Sequence, residues 1–176
     1  MRPITPRFIA RLLLVALGMA ALAGCAHYTL GSVGKLDFQS LYIAVAKNNS
    51  FGAQASEPVT RELRQTFLQE GNLRLADQAD ADATLDVIIS NYTRAADATQ
   101  QGNTLNAQSY TLTLTANCTL VDNRTGKTYF KDRQVSATED ALVQNGDNFN
   151  EAEYQSMAKL ARDLSVKIKD TVVTVW

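Results

Sequence analysis

Two cysteines and one histidine are the only thiols and the only imidazole in this chain of 176 residues, and their positions limit the chemistry it can perform. The imidazole, His27, stands two residues after Cys25, ahead of any segment patterned like a folded domain. A Ser/His/Asp or Cys/His mechanism needs its base held on a scaffold, which a lead segment does not provide. Zinc would need several His or Cys ligands gathered in one place, and they are absent. Asp77, Asp80 and Asp82 lie close together in sequence. They lack the alternate-position ligands, the glycine and the terminal glutamate of a calcium loop, so they read as a solvated loop before a strand. No glycine-rich phosphate loop is present either. Hence no catalytic residue, no metal ligand and no cofactor is assigned, and the expectation is a protein that works by binding.

The remaining chemistry is that of Cys25. The 24 residues before it carry Arg2, Arg7 and Arg11 and no acid, and then the apolar run Leu12 to Leu22. A basic start followed by such a run is a signal peptide, shorter than the roughly 20 apolar residues of a membrane span. Leu22-Ala23-Gly24-Cys25 then matches the lipobox of bacterial lipoproteins residue for residue. Small residues at the two positions before the cysteine fit a peptidase groove, and a thiol can form the thioether to diacylglycerol. Cleavage is therefore expected between Gly24 and Cys25, with the lipid on Cys25. Ala26 follows rather than Asp, which by the usual sorting rule directs the lipoprotein to the outer membrane. A lipobox implies a bacterium, so the sequons at Asn48, Asn91, Asn117 and Asn123 carry no glycan expectation.

This divides the chain into a signal peptide over 1–24, a lipidated anchor and lead segment over 25–39, and one periplasmic domain over 40–176. Loss of the leader removes three of the 17 basic residues and none of the 18 acids. The mature chain then has 14 against 18, a net charge near −4. A nucleic-acid binder would carry the opposite sign. With Cys25 lipidated, Cys118 has no partner within the chain, and a lone thiol in an oxidising compartment survives best when buried.

The elements that position these residues are legible from periodicity. Ser40 to Ala46 is a β-rich run ended by the polar cluster Lys47 to Ser50. Ser56-Glu57-Pro58 starts a helix with a capping hydroxyl and a proline in its first turn, Val59, Leu63 and Phe67 form its buried stripe, and Gly71 ends it. Asn72 to Ala76 reads as a short edge strand and Ala83 to Tyr92 as a firmer one. From Tyr110 to Leu120, apolar residues alternate strictly with threonines and Asn117, so one face is buried and Cys118 points into the core. Asp122 to Gly126 is turn chemistry, after which Lys127 to Ala137 returns as the second arm of a hairpin. Asn150 with Glu153 resembles a capping box, and Tyr154, Met157, Ala161, Leu164, Ile168 and Val172 then keep helical spacing. The expected fold is α+β, with two helices packed on one face of a roughly four-stranded, mixed and mostly antiparallel sheet. Arg94, Lys127, Lys131 and Arg133 lie on or beside the strands, where they could meet an anionic head group or simply charge the sheet's rim.

Taken in order, these pieces resemble the lipopolysaccharide-assembly lipoprotein family, LptE. The residues carrying the likeness are the lipobox with Ala26 to Gly31, the strand and helix ending at Gly71, and Ala81 to Leu85. Further on they are Ala107 to Leu112, the turn at Gly126, and Glu151 to Leu164. The resemblance implies a plug inside the outer-membrane β-barrel LptD, as a heterodimer, that aids its assembly and binds lipopolysaccharide in transit, with the membrane reached through the lipid anchor. A polar lumen wall would suit a partner surface rich in Thr, Asn and Gln, such as the threonine face and Asn103 to Gln108. Family members often carry a basic residue before the long strand and another before the last helix. Here Thr99 to Asn103 and Leu142 to Gly146 have none, leaving Arg94, Lys127, Lys131 and Arg133 as the candidate lipopolysaccharide contacts. A competing expectation is a lipoprotein that activates another envelope complex, such as a peptidoglycan synthase. That role usually needs a long linker, and only about 14 residues precede the first strand, at about 3.5 Å each.

Overall fold

The structure, a computed structural model, describes residues 37–52, 54–71, 73–100, 103–142 and 149–174, without the side chains of 97–100, 103–108 and 149. The leader, Cys25 and the lead segment as far as residue 36 lie outside the described residues, as do residues 143–148. In chain order the elements are β1 (Ser40–Ile43), β2 (Lys47–Asn48), α1 (Ser56–Glu70), β3 (Arg74–Leu75), β4 (Ala83–Gln100), β5 (Asn103–Asp122), β6 (Thr128–Leu142) and α2 (Phe149–Val173). The sheet runs β3-β1-β4-β5-β6, with β2 pairing β4 beyond the end of β1. The class is α+β as expected, and the strands number six because the edge strand forms and the polar cluster after the Ser40 run adds a two-residue strand, Lys47–Asn48.

Pairing is mixed. β1 lies parallel between β3 and β4, whereas β4, β5 and β6 form an antiparallel meander. Connections between parallel neighbours must cross over, and α1 is the crossover between β1 and β3. Its stripe of Val59, Leu63 and Phe67 is fully buried, and it stops at Gly71, whose φ of 74° suits a residue without Cβ. Ser56 does not cap the helix. Ala55 occupies that position, and the Ser56 hydroxyl instead donates to the Ala46 carbonyl, fastening the helix start to the end of the β1 segment.

On β5, Leu112, Leu114, Ala116, Cys118 and Leu120 are all buried, meeting Leu85, Val87 and Ile89 of β4 and Ala137 and Ala141 of β6. Leu160, Ala161, Leu164, Ile168 and Val172 of α2 close the same core. Burial pushes the Cys118 thiol up to about 12, so it stays a neutral hydrophobe in the interior. The two helices are joined by ion pairs: Glu62 with Arg162 at 3.5 Å and Glu70 with Lys169 at 3.3 Å. Among the described residues no helix is long and apolar enough to cross a membrane.

The largest departure from the sequence reading lies between Thr93 and Gln108. By periodicity one strand ends at Tyr92 and the alternation is taken up at Tyr110, yet β4 continues to Gln100 and β5 begins at Asn103, forming one long hairpin. Each strand supplies the other's backbone partners, so the hairpin does not depend on apolar side chains. At the start of α2, Asn150 is already helical and Glu153 turns toward the sheet rather than back to a cap.

Candidate functional site

Among the described residues, helices cover one face of the meander and no element covers the other. Cross-strand partners share a face, so the register identifies the open one. It carries Thr84, Asp86, Ile88, Asn91, Thr93 and Ala95 from β4, opposite Val121, Thr119, Asn117, Thr115, Thr113 and Thr111 of β5. β6 continues it with Gln134, Ser136, Thr138 and Asp140. Asp86 and Asp140 are the acids on this face, and Lys47 of β2, paired with Ile88, is a cation at its edge. Asp140 is itself engaged, accepting from the Thr111 hydroxyl at 3.1 Å. The result is a broad surface, mostly of hydroxyls and amides with few charges, on a pleat whose geometry suits threonine.

The four cations singled out in the sequence do not come together. Arg94 pairs across β4 and β5 with Leu112, hence on the helix side, and sits 3.7 Å from Glu153 of α2. The same carboxylate accepts the Tyr92 hydroxyl, and burial together with that carboxylate pushes the phenol well above its usual range. Tyr92 leaves no room beside it: a Cβ on Gly52 would lie 2.9 Å from its ring. This corner forms a groove between the starts of α1 and α2, edged by the exposed aromatics Phe51 and Tyr154 and by Arg61 and Met157.

Lys127, Lys131 and Arg133 lie at the opposite end. Arg133 pairs with Cys118, which pairs with Val87, seven residues before Arg94 on β4 and thus about 20 Å from it. Pairing with the buried Cys118 puts Arg133 on the helix side. Asp132, at a φ of 51°, lies in one of two register shifts that precede it on β6, and the Asp132 N–H donates to the Thr119 hydroxyl at 3.1 Å. The three cations line a shallow cavity with Asp37, Tyr129, Phe130 and Thr174. Lys127 stands 4.9 Å over the Tyr129 ring and Arg133 5.6 Å over Phe130, both within cation–π range.

At this end too, Asp82 has a task that its sequence context did not disclose. Its carboxylate accepts the N–H groups of Gln39 and Ser40, each at 3.0 Å, while its own N–H donates to the Ser40 hydroxyl at 2.9 Å. Arg124 approaches the same carboxylate at 3.7 Å and donates to the Asp37 carbonyl at 3.0 Å. Asp82 is thus a clamp on the residues entering β1, not a solvated loop acid. The Gln39 and Ser40 donors hold its carboxyl below the usual carboxylate range. A depressed value means the clamp stabilises the fold above the ordinary carboxylate range and is lost as pH falls through the lowered one. Asp82→Asn is expected to cost about 2 kcal/mol at neutral pH, with the gap to wild type shrinking in acid. Urea unfolding at two pH values measures it, and an unchanging gap would mean that the charge is irrelevant.

Comparison with known proteins adds a family and a fold. The model of the family described as LptE, lipopolysaccharide-assembly, matches residues 38–171. No curated protein matches the chain. Among solved structures, a minor lipoprotein from Acinetobacter baumannii is similar with a TM-score of 0.51 at 16% identity, over 78% of this chain and 94% of its own. Lipoprotein B from Nitrosomonas europaea gives 0.55 at 13% identity, over 81% and 87%. A protein from Xanthomonas campestris gives 0.56 at 12%, over 82% and 88%. At such identities the likeness is one of fold.

Proposed function

We propose, from the premise that the chain belongs to the lipopolysaccharide-assembly family LptE, that it is an outer-membrane lipoprotein held by a lipid on Cys25 and seated as a plug in an LptD-type β-barrel. Its work there is to support barrel assembly and lipopolysaccharide delivery by binding, without catalysis. The observation that carries this reading is the open face of the meander. A lumen wall is polar and already hydrogen-bonded to water, so a partner gains little from apolar area there and loses heavily if it brings an unpaired charge. A broad surface dominated by Thr, Ser, Asn and Gln, with its charges confined to Lys47, Asp86 and Asp140, suits such a wall.

Of the four cations, Arg94 is the one we assign to lipopolysaccharide. It shares its groove with Phe51 and Tyr154, a combination of guanidinium and apolar rings that matches a phosphorylated, acylated amphiphile. The test begins with an affinity pull-down of the lipidated protein from a mild-detergent outer-membrane extract, read by mass spectrometry. A large barrel of the LptD type at near one-to-one ratio supports the plug; a cell-wall synthase, or no barrel, overturns it. Thr113→Arg sharpens the experiment, because its neighbours Thr93 and Thr138 are exposed and the isolated fold should change by less than about 0.5 kcal/mol. Barrel recovery should fall about tenfold or more, since a charge trapped without a partner in an interface costs several kcal/mol. Undiminished recovery would place the barrel on another surface.

A further inference from the structure

The cavity of Lys127, Lys131 and Arg133 lies where the chain leaves the domain toward its N-terminus. Asp37 is in its lining, and the Phe38 ring meets Tyr129 with centroids 5.4 Å apart. The exit is fixed: Phe38 is buried, Asp82 holds Gln39 and Ser40, and Arg124 holds the Asp37 carbonyl. Asp37 stands twelve positions after Cys25, a span of at most about 42 Å when fully extended. A lipid on Cys25 therefore keeps this cavity within reach of the bilayer surface.

We propose that Lys127, Lys131 and Arg133, with Tyr129 and Phe130 between them, form a second membrane contact, for the anionic phospholipid head groups of the leaflet that holds the anchor. This rests on the lipoprotein reading above. Within the lining three cations face one carboxylate, Asp37, whose distance to Lys127 is 3.9 Å on a largely exposed pair. Such a pair is worth little and exchanges readily for a phosphate. Of the neighbouring acids, Asp122 accepts from the Arg124 and Thr125 N–H groups and the Tyr129 hydroxyl, and Asp82 is engaged with β1. Asp132, between Lys131 and Arg133, lies in a register shift of β6 and remains a counterweight. Aromatic rings between the cations suit the head-group level, where one side of a ring is apolar and the other wet. A mature chain near −4 is repelled overall by an anionic surface, so a local positive patch beside the tether both attaches and orients it. The β5–β6 turn then faces the bilayer, and the groove of Arg94 lies toward the other end of the sheet. The anchor supplies the high effective concentration that lets a weak patch count.

Depth-dependent quenching tests this on the full lipidated protein. A fluorophore is placed at Thr128→Cys beside the patch or at Gln155→Cys on α2, in vesicles of phosphatidylethanolamine with phosphatidylglycerol and a head-group quencher. The Thr128 label should be quenched much more than the Gln155 label. The difference should vanish in phosphatidylcholine vesicles, at about 0.5 M salt, and in the triple variant Lys127→Gln, Lys131→Gln, Arg133→Gln. Equal quenching of the two labels, or a difference the triple variant retains, overturns the proposal. Quenching that appears only when lipopolysaccharide is added assigns the cations to that lipid and also overturns it. Mass spectrometry of the same protein reports Cys25 separately. If Cys25 carries no lipid the lipoprotein reading falls, and flotation of the unmodified protein still decides the patch. Partition onto phosphatidylglycerol vesicles should then drop about fivefold per cation removed, and partition that ignores these substitutions refutes it.

Discussion

Cys25→Ala is expected to abolish incorporation of radiolabelled palmitate completely and to leave a heavier precursor that keeps its leader. The argument is chemical. Without sulfur there is no thioether, and without the diacylglyceryl group the peptidase that reads a lipobox has no substrate. Two acyl chains give lasting retention where one gives only marginal binding, so the loss in outer-membrane retention should be close to total. The folded domain should be unaffected, because β1 begins fifteen residues later, at Ser40. Thermal unfolding of the purified variant checks this. A variant that still takes up palmitate, or that remains in the outer membrane as wild type does, would remove the anchor and with it the proposed orientation at the bilayer.

Phe67→Ala is expected to have the largest effect on the fold itself, a loss of about 3–5 kcal/mol. Phe67 is completely buried, near the end of the stripe that binds α1 to the rest of the core. The region it supports has little else: β1, β2 and β3 are short, with four, two and two residues. A cavity there removes packing from the crossover that holds β1 parallel to β3 and β4. Urea denaturation gives the number, and a change under about 1 kcal/mol would mean that this edge is held by the clamp at Asp82 rather than by α1. The long meander, whose core contacts run along β4, β5 and α2, should melt after the edge, and hydrogen exchange resolved by residue would show the order.

The sequence by itself determined the parts whose signal is local. The leader and lipobox are read residue by residue, and the expectation they raise needs no partner elsewhere in the chain. Alternation from Tyr110 to Leu120 marks a strand with one buried face, and burial of Cys118 follows from its parity alone. Val59, Leu63 and Phe67 mark the first helix in the same way, and Asp122 to Gly126 marks the turn. What tertiary structure decided is whatever depends on register or on contacts across long separations. The hairpin through Thr93 to Gln108 is polar, so periodicity is silent, and pairing of each strand with the other supplies the order. Glu153 looked like half of a capping box, yet β4 brings Tyr92 and Arg94 to it from across the fold. Asp82 looked solvated until β1 brought two N–H groups to it from more than forty positions away. The four cations separate for the same reason. Arg94 is carried by β4 to the start of α2, whereas Arg133, paired with Cys118, lies on the helix side toward the other end of the sheet, beside Lys127 and Lys131. A strand's faces have period two, so each bulge reassigns the side chains next to it, and no property of the neighbouring residues announces the two register shifts of β6 between Thr128 and Arg133.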